Sequence, residues 1–256
     1  MSDITLEAML KRYLEYQFRH LYTAIPAVVM QVDDAEECRV DVKPVINEVF
    51  PDYDDSNEFP IIFSVPVIFP SSGTSAFTYP ISPGDTVLLV FSQASTDVFR
   101  LGDGTPSPPS DYRKFDKRDA IAIPGLWPFA NSKNKQSNRS LPHSTEDVVI
   151  AHNLNTSSEC EIRLKASGKV EITSPLQVEV KAPVVNVTAT TSSTVSAPAI
   201  YATATTLATI SAPIANIAAI TSATITSPIV NIASPGGAVS VTSTTFTWNG
   251  STVAVV

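Results

Sequence analysis

The sequence predicts an all-β protein built as an N-terminal helix, an OB-type barrel and an intertwined trimeric (triple-stranded) β-helix needle. Three observations lead there. From Ala182 to Val256 there is no Asp, Glu, Lys, Arg or His. Prolines punctuate that stretch at Pro183, Pro198, Pro213 and Pro228, evenly spaced at fifteen positions. The part before it is charged and reads as short strands separated by turn residues. The resulting domain plan is a helix over 1–23, a barrel over 24–125, a linker over 126–149 and a trimeric β-helix spike over 150–256.

In the helix, Leu6, Leu10, Leu14, Phe18 and Leu21 recur at helical spacing, with Lys11, Arg12, Glu15 and Arg19 around the other side. Ser2 or Asp3 is expected to cap its start, and it should end by Thr23, before Pro26. Leu6, Leu10, Leu14 and Phe18 form a candidate docking stripe for a partner. The same stripe could instead pack on its own domain or on sister chains.

The barrel is expected from five strand-like runs: Ala27 to Val32, Cys38 to Pro44, Ile61 to Phe69, Thr86 to Phe91 and Ala120 to Ile123. Asp33 to Glu37 reads as an acidic turn between the first two, and Pro83-Gly84-Asp85 as a turn into the fourth. Five strands in about a hundred residues suit an OB-type barrel. Val45 to Phe59, with Asp52, Asp54, Asp55 and Glu58, is expected to be a solvated loop. The polar run Asn131 to Asn138 marks the linker.

In the tail, Ala182-Pro183-Val184-Val185-Asn186-Val187 aligns with Ala197-Pro198, Ala212-Pro213 and Ser227-Pro228 and the residues that follow each. Pro175 and Pro235 fall eight residues before and seven after this series, so the structural unit is a half-repeat of seven or eight residues, one short strand plus a corner. Val, Ile and Thr alternate within each unit, and proline cannot donate to a sheet ladder, so the prolines belong at corners. Upstream, Ile162, Leu164, Val170, Ile172, Val178 and Val180 alternate in the same way, with Glu161, Arg163, Lys165, Lys169, Glu171, Glu179 and Lys181 between or beside them. A half-repeat encloses too little apolar volume for one chain to bury, whereas three chains wound about a common axis would close a prism. At roughly 4.8 Å of rise per strand, about twelve half-repeats would give a shaft on the order of 60 Å long.

Net charge −8 argues against a nucleic-acid surface. Cys38 and Cys160 lie in different predicted domains and have no partner at ligand spacing, so neither a disulfide nor a metal site is expected of them. No secretory signal and no transmembrane run is expected. Catalytic constellations are weak. Asp33-Asp34 and Asp54-Asp55 would need folding to place them across a cleft, Ser144 with His143 and Asp147 lies in the linker, and Gly102-Asp103-Gly104 lacks the lysine and helix of a phosphate cradle.

The N-terminal helix, Thr23 to Val28, Arg39 to Pro44, Val65 to Pro70, Pro80 to Asp85 with its following strand, and Asp119 to Gly125 together resemble the barrel domain of the central spike proteins of contractile-tailed bacteriophages, over roughly residues 4 to 130. The resemblance implies a homotrimer at the tip of the tail baseplate, docked beneath a hub protein and driven through the host outer membrane on sheath contraction. No enzymatic activity is then expected.

Two departures from the family pattern bear on mechanism. Some relatives bind iron through a His-x-His pair near the C-terminus. The histidines here are His20, His143 and His152, so an iron tip is not supported and no cofactor is expected. The candidate tip residues are instead Phe246, Trp248, Val253, Val255 and Val256, acting as an apolar plug or as the seat of a separate tip protein. Some relatives also insert a lysozyme domain after the barrel, and Leu126 to Val149 is far too short for one. Two other readings remain to be weighed: a β-solenoid that degrades surface glycans, and an OB-type binding module with a disordered tail.

Overall fold

The computed structural model describes residues 5–19, 21–49, 56–212 and 224. The chain divides into two compact units, Met1–Lys181 and Ala182–Val256. The fold is mostly strand with few helices.

The first unit opens with α1 (Leu6–Arg19). Ser2 and Asp3, the expected caps, lie outside the described residues, and Thr5 does the capping. The amide of Ala8 donates to Thr5 Oγ1 at 3.3 Å, and that of Met9 to the Thr5 carbonyl at 3.0 Å. Glu7 sits in the first turn, where a negative charge complements the helix dipole.

Five strands then form one antiparallel sheet: β1 (Ala24–Asp34), β2 (Arg39–Pro44), β5 (Ile62–Pro66), β6 (Thr86–Phe91) and β7 (Ala120–Pro124), in the order β5-β2-β1-β6-β7. Each of the five expected runs holds a strand, although Cys38 falls in the turn before β2 and the run Ile61 to Phe69 is strand only over Ile62–Pro66. The edges of the sheet meet where Val67 bridges Ala122 in parallel, and the Ile68 amide donates to the Ala122 carbonyl at 3.0 Å. The sheet is therefore curled and partly closed. Register shifts in β1 at Val29/Gln31 and Val32/Asp34 supply extra local twist where the sheet bends.

Alternation decides what is inside. Ala27 and Val29, Val40 and Val42, Ile62 and Val65, Val87, Leu89 and Phe91, and Ala120 and Ala122 point inward from the five strands and form the core. Each large apolar side chain removed from water contributes about 1.5–3 kcal/mol. Gly84, at φ +92°, makes the turn into β6, and there the Ser82 amide donates to Asp85 Oδ2 at 2.8 Å.

Two expectations need correction. The segment Val45 to Phe59 is not simply a solvated loop: β3 (Glu48–Val49) pairs with β4 (Ser56–Asn57), and Phe59 is buried. Phe59 stacks edge-on against Tyr22 at 6.0 Å, and the Tyr22 hydroxyl donates to Glu48 at 3.0 Å. An aromatic at the loop's end thus found a slot that composition alone did not show. The segment 126–149 is likewise more than a polar linker. It makes helical turns at Phe129–Asn131 and Gln136–Asn138, places Lys133 Nζ 3.6 Å from the centre of the Trp127 ring, and buries Arg139 and His143.

The first unit ends in a second antiparallel sheet, β10-β9-β8, from β8 (Val148–His152), β9 (Cys160–Leu164) and β10 (Val170–Thr173). Gly168, at φ +84°, lets the β9–β10 turn close.

In the second unit, residues 182–212 form no strand, and every one of them is exposed in the single chain. The backbone bends at Pro183, Thr190–Thr191, Pro198 and Thr205–Thr206. That is the corner spacing read from the repeat.

Candidate functional site

The β8–β10 sheet has two chemically different faces. On one, Val148 opposes Leu164, which opposes Val170, and Ile150 opposes Ile162, which opposes Ile172. These six side chains form two aligned rows, and all are exposed, Ile162 at 45% and Ile172 at 60%. Contiguous apolar surface of this kind marks an interaction site. The loop Phe77–Pro80 overhangs part of it and leaves a groove of about 550 Å³ lined also by Ile150, Ile162 and Ile172.

The opposite face carries charge and is covered. Glu161 and Arg163 of β9 meet Arg139 and His143 from the segment before β8. Arg139 Nε donates to Glu159 Oε1 at 3.4 Å, and its Nη1 lies 2.9 Å from His143 Nδ1. Arg139 Nη2 is 3.7 Å from Glu161 Oε2, and Arg163 Nη2 pairs with Glu161 and also donates to the Pro142 carbonyl at 3.2 Å. The amides of Ser140 and Asn155 donate to Glu159 Oε2 at 2.6 and 2.9 Å. Burial pushes the Glu159 carboxyl up, but these amide bonds and Arg139 outweigh it and hold it below its ordinary range. His143, 4% exposed, is pushed down by burial and by the two guanidinium groups. The cluster clasps the 139–143 segment to the base of the sheet.

The predicted docking stripe is intact but unpartnered. Leu6, Leu10, Leu14 and Phe18 are all exposed, Leu6 at 82%. A helix of 14 residues is marginal in water by itself. The candidate tip residues Phe246, Trp248, Val253, Val255 and Val256 lie outside the described residues.

The β6–β7 connection is held by an ionic brace. Arg113 reaches Asp119, Asp97 and Asp111, and the Thr96 amide and hydroxyl donate to Asp119 Oδ1 at 2.8 and 3.0 Å. This brace displays Phe99, Leu101 and Tyr112 on its outside. Sequence reading missed it because its members are polar residues scattered from 96 to 119.

Asp54 and Asp55 lie outside the described residues, and the other discounted groups have separate partners. His143 faces Arg139, the Ser144 hydroxyl accepts from the Glu146 amide at 3.2 Å, and Asp147 Oδ1 accepts from the Ala166 amide at 3.0 Å. Asp33 and Asp34 are both engaged with Arg39, at 3.1 and 3.6 Å. Asp103 Oδ1 caps its own turn by accepting from the Thr105 amide. Among the described residues no helix is long and apolar enough to cross a membrane.

Together these features define an all-β protein whose curled barrel is followed by an apolar sheet face and an uncharged extended segment, both without partners in a single chain. Residues 25–125, the barrel and its loops, match the family model described as Phage protein Gp138 N-terminal domain. The match indicates a phage protein and is consistent with a baseplate component of the virion. No curated protein matches the chain.

Proposed function

We propose that the chain is the central spike of a contractile phage tail, a homotrimer that pierces the host outer membrane and does so without catalytic residues. In this reading the barrel is OB-type, the α1 stripe docks on the baseplate hub, and residues from 150 onward wind with two sister chains into a triple-stranded β-helix. The end of the chain forms the tip, closed by Phe246 and Trp248 or capped by a separate protein.

One observation carries the reading. Residues 182–212 are rich in Val, Ile, Thr and Ala, turn a corner every seven or eight residues, and make no hydrogen bond with one another. Ile210 is 85% exposed. Bare β-branched side chains are costly in water, and strands from sister chains would cover them while pairing the backbone groups that water otherwise solvates. The apolar β8–β10 face lies just upstream and needs the same cover. An uncharged shaft also meets lipid without the penalty of burying ions.

Light scattering on the full chain tests this directly. The expected mass is three times the 27.4 kDa of one chain, persisting in moderate denaturant. A 27.4 kDa particle would sink the proposal. Release of sugar from bacterial surface glycans by the purified protein would favour a degrading enzyme instead.

A further inference from the structure

The run that leaves α2 (Asp97–Leu101) is unlike the rest of the barrel. After Gly102-Asp103-Gly104 comes Thr105-Pro106-Ser107-Pro108-Pro109-Ser110, and every residue from Leu101 to Tyr112 is exposed. Each residue from 105 to 109 is a proline or stands immediately before one. A proline fixes its own φ at about −65°, and the residue ahead of it is driven out of the helical region into extended backbone. The conformation that suits the whole run is polyproline II. From Pro106 to Pro109 the backbone makes no hydrogen bond with the described residues, in keeping with a helix that has no internal bonds of its own. Its repeat of about three residues per turn brings Pro106 and Pro109 onto one edge, about 9 Å apart.

Both ends of the run are held. Where it starts, Gly104 turns the chain at φ +82°, and the Thr105 amide and hydroxyl donate to Asp103 Oδ1 at 3.1 and 2.7 Å. Gly102 has no room for a side chain, since a Cβ there would lie 2.6 Å from the Val98 carbonyl oxygen. Where it ends, the Ser110 hydroxyl donates to Asp97 Oδ2 at 3.3 Å and lies 3.3 Å from the Ser95 hydroxyl. Arg113 binds Asp97 before the run and Asp111 after it, at 2.7 and 3.3 Å. The ionic brace therefore closes the loop at its base and leaves the proline edge in solvent.

We propose that residues 105–110 are a docking segment for a second protein, one that presents a groove lined by Trp and Tyr side chains. The chemistry of the segment selects this partner. Proline-rich polyproline II segments dock in aromatic-lined grooves, and a segment already held extended loses little conformational freedom on binding. Residues 104–110 contain no ionisable side chain, so a charged ligand finds nothing to pair with there. Leu101 and Tyr112, 90% and 96% exposed at the two ends of the loop, extend the contact. The proposal uses one barrel and its loop, and stands apart from the trimeric reading above.

The test uses phage particles assembled with the full chain carrying p-benzoylphenylalanine in place of Tyr112. Irradiation followed by peptide mass spectrometry is expected to join this position to a different virion protein, beside Trp or Tyr residues. Pro106→Ala with Pro109→Ala should lower the yield of that product, per incorporated copy, by about tenfold, because the proline edge and its fixed extension are both lost. Ser107→Ala, on another edge of the helix, should keep the yield within about twofold. These positions lie outside the barrel core, so circular dichroism should be the same for all. Exclusion of the double variant from particles that accept Ser107→Ala would equally support the proposal. Products confined to copies of this chain, no product at all, or an undiminished yield in the double variant would overturn it.

Discussion

Arg113 closes on Asp119 as a two-pronged fork, with Nε 2.6 Å from Oδ2 and Nη2 3.0 Å from Oδ1, around a residue with 0% exposure. Burial alone would raise the Asp119 carboxyl, but Arg113 and the Thr96 donors hold it below its usual range. The same guanidinium reaches Asp97 at 2.7 Å, so one side chain ties α2 (Asp97–Leu101) to the start of β7.

Arg113→Met should destabilise the barrel by about 3–5 kcal/mol, because it leaves a buried carboxylate without its countercharge. Adding Asp119→Asn should recover part of the loss. Urea unfolding followed by circular dichroism reads both effects. Equal midpoints for wild type and Arg113→Met would show that the fork contributes nothing.

On the apolar sheet face, Ile162→Lys places a charge in the middle of the row Ile150–Ile162–Ile172. The barrel core is untouched, so the variant should keep its β-type dichroism while light scattering shows loss of the proposed trimer. Leu164→Met, nearly volume-conserving, should remain trimeric.

The Arg139–His143–Glu159 clasp should weaken in acid. Glu159 and His143 both have depressed values in the folded protein, Glu159 through its amide donors and Arg139, His143 through burial and two guanidinium groups. A depressed group stabilises the fold above its unfolded value and loses that contribution as pH falls. The loss should begin near pH 6.5 with His143 and deepen below about 4.5 with Glu159. Hydrogen exchange of the β8 and β9 amides at pH 7, 5.5 and 4 should show stepwise loss of protection. His143→Gln should remove the first step and keep the second.

Tyr22 should titrate late. Burial first, then its bond to Glu48, pushes the phenol from 10 up to about 12. The raised value means its contribution is complete below pH 10 and disappears as pH climbs towards 12. Ultraviolet titration of the seven tyrosines should show Tyr22 titrating late, with Tyr79 also raised by burial and Asp85, and Glu48→Gln should move the Tyr22 component alone to lower pH.

For α1, Leu10→Glu together with Leu14→Glu removes the exposed stripe without touching the barrel core. The pair should leave the oligomer unchanged and reduce incorporation of the protein into phage particles. Normal incorporation would show that the stripe does not serve hub docking.

The barrel strands were legible because burial enforces alternation: Val87, Leu89 and Phe91 are inward and their neighbours are not. The turn at Gly84 was legible because its backbone conformation selects glycine. The β3–β4 hairpin was not, since two-residue strands carry no period. The ionic clasp was also invisible, because Arg139 and Glu159 are twenty residues apart and look in sequence like any polar linker and turn. The cross-strand pairing of His152 with Cys160 was not legible either, because register, unlike composition, emerges only once the hairpin is folded.

The even spacing of Pro183, Pro198, Pro213 and Pro228 creates an ambiguity that the β8–β10 sheet can remove. Chains that pair through identical repeats can do so one repeat out of step at almost no penalty, and the error would run the length of the shaft. The β8–β10 strands are short hairpins, form locally and early, and share no sequence with the repeats. In the proposed trimer, a triplet begun there would start in phase, and the fidelity of the whole needle would be decided in its first three strands.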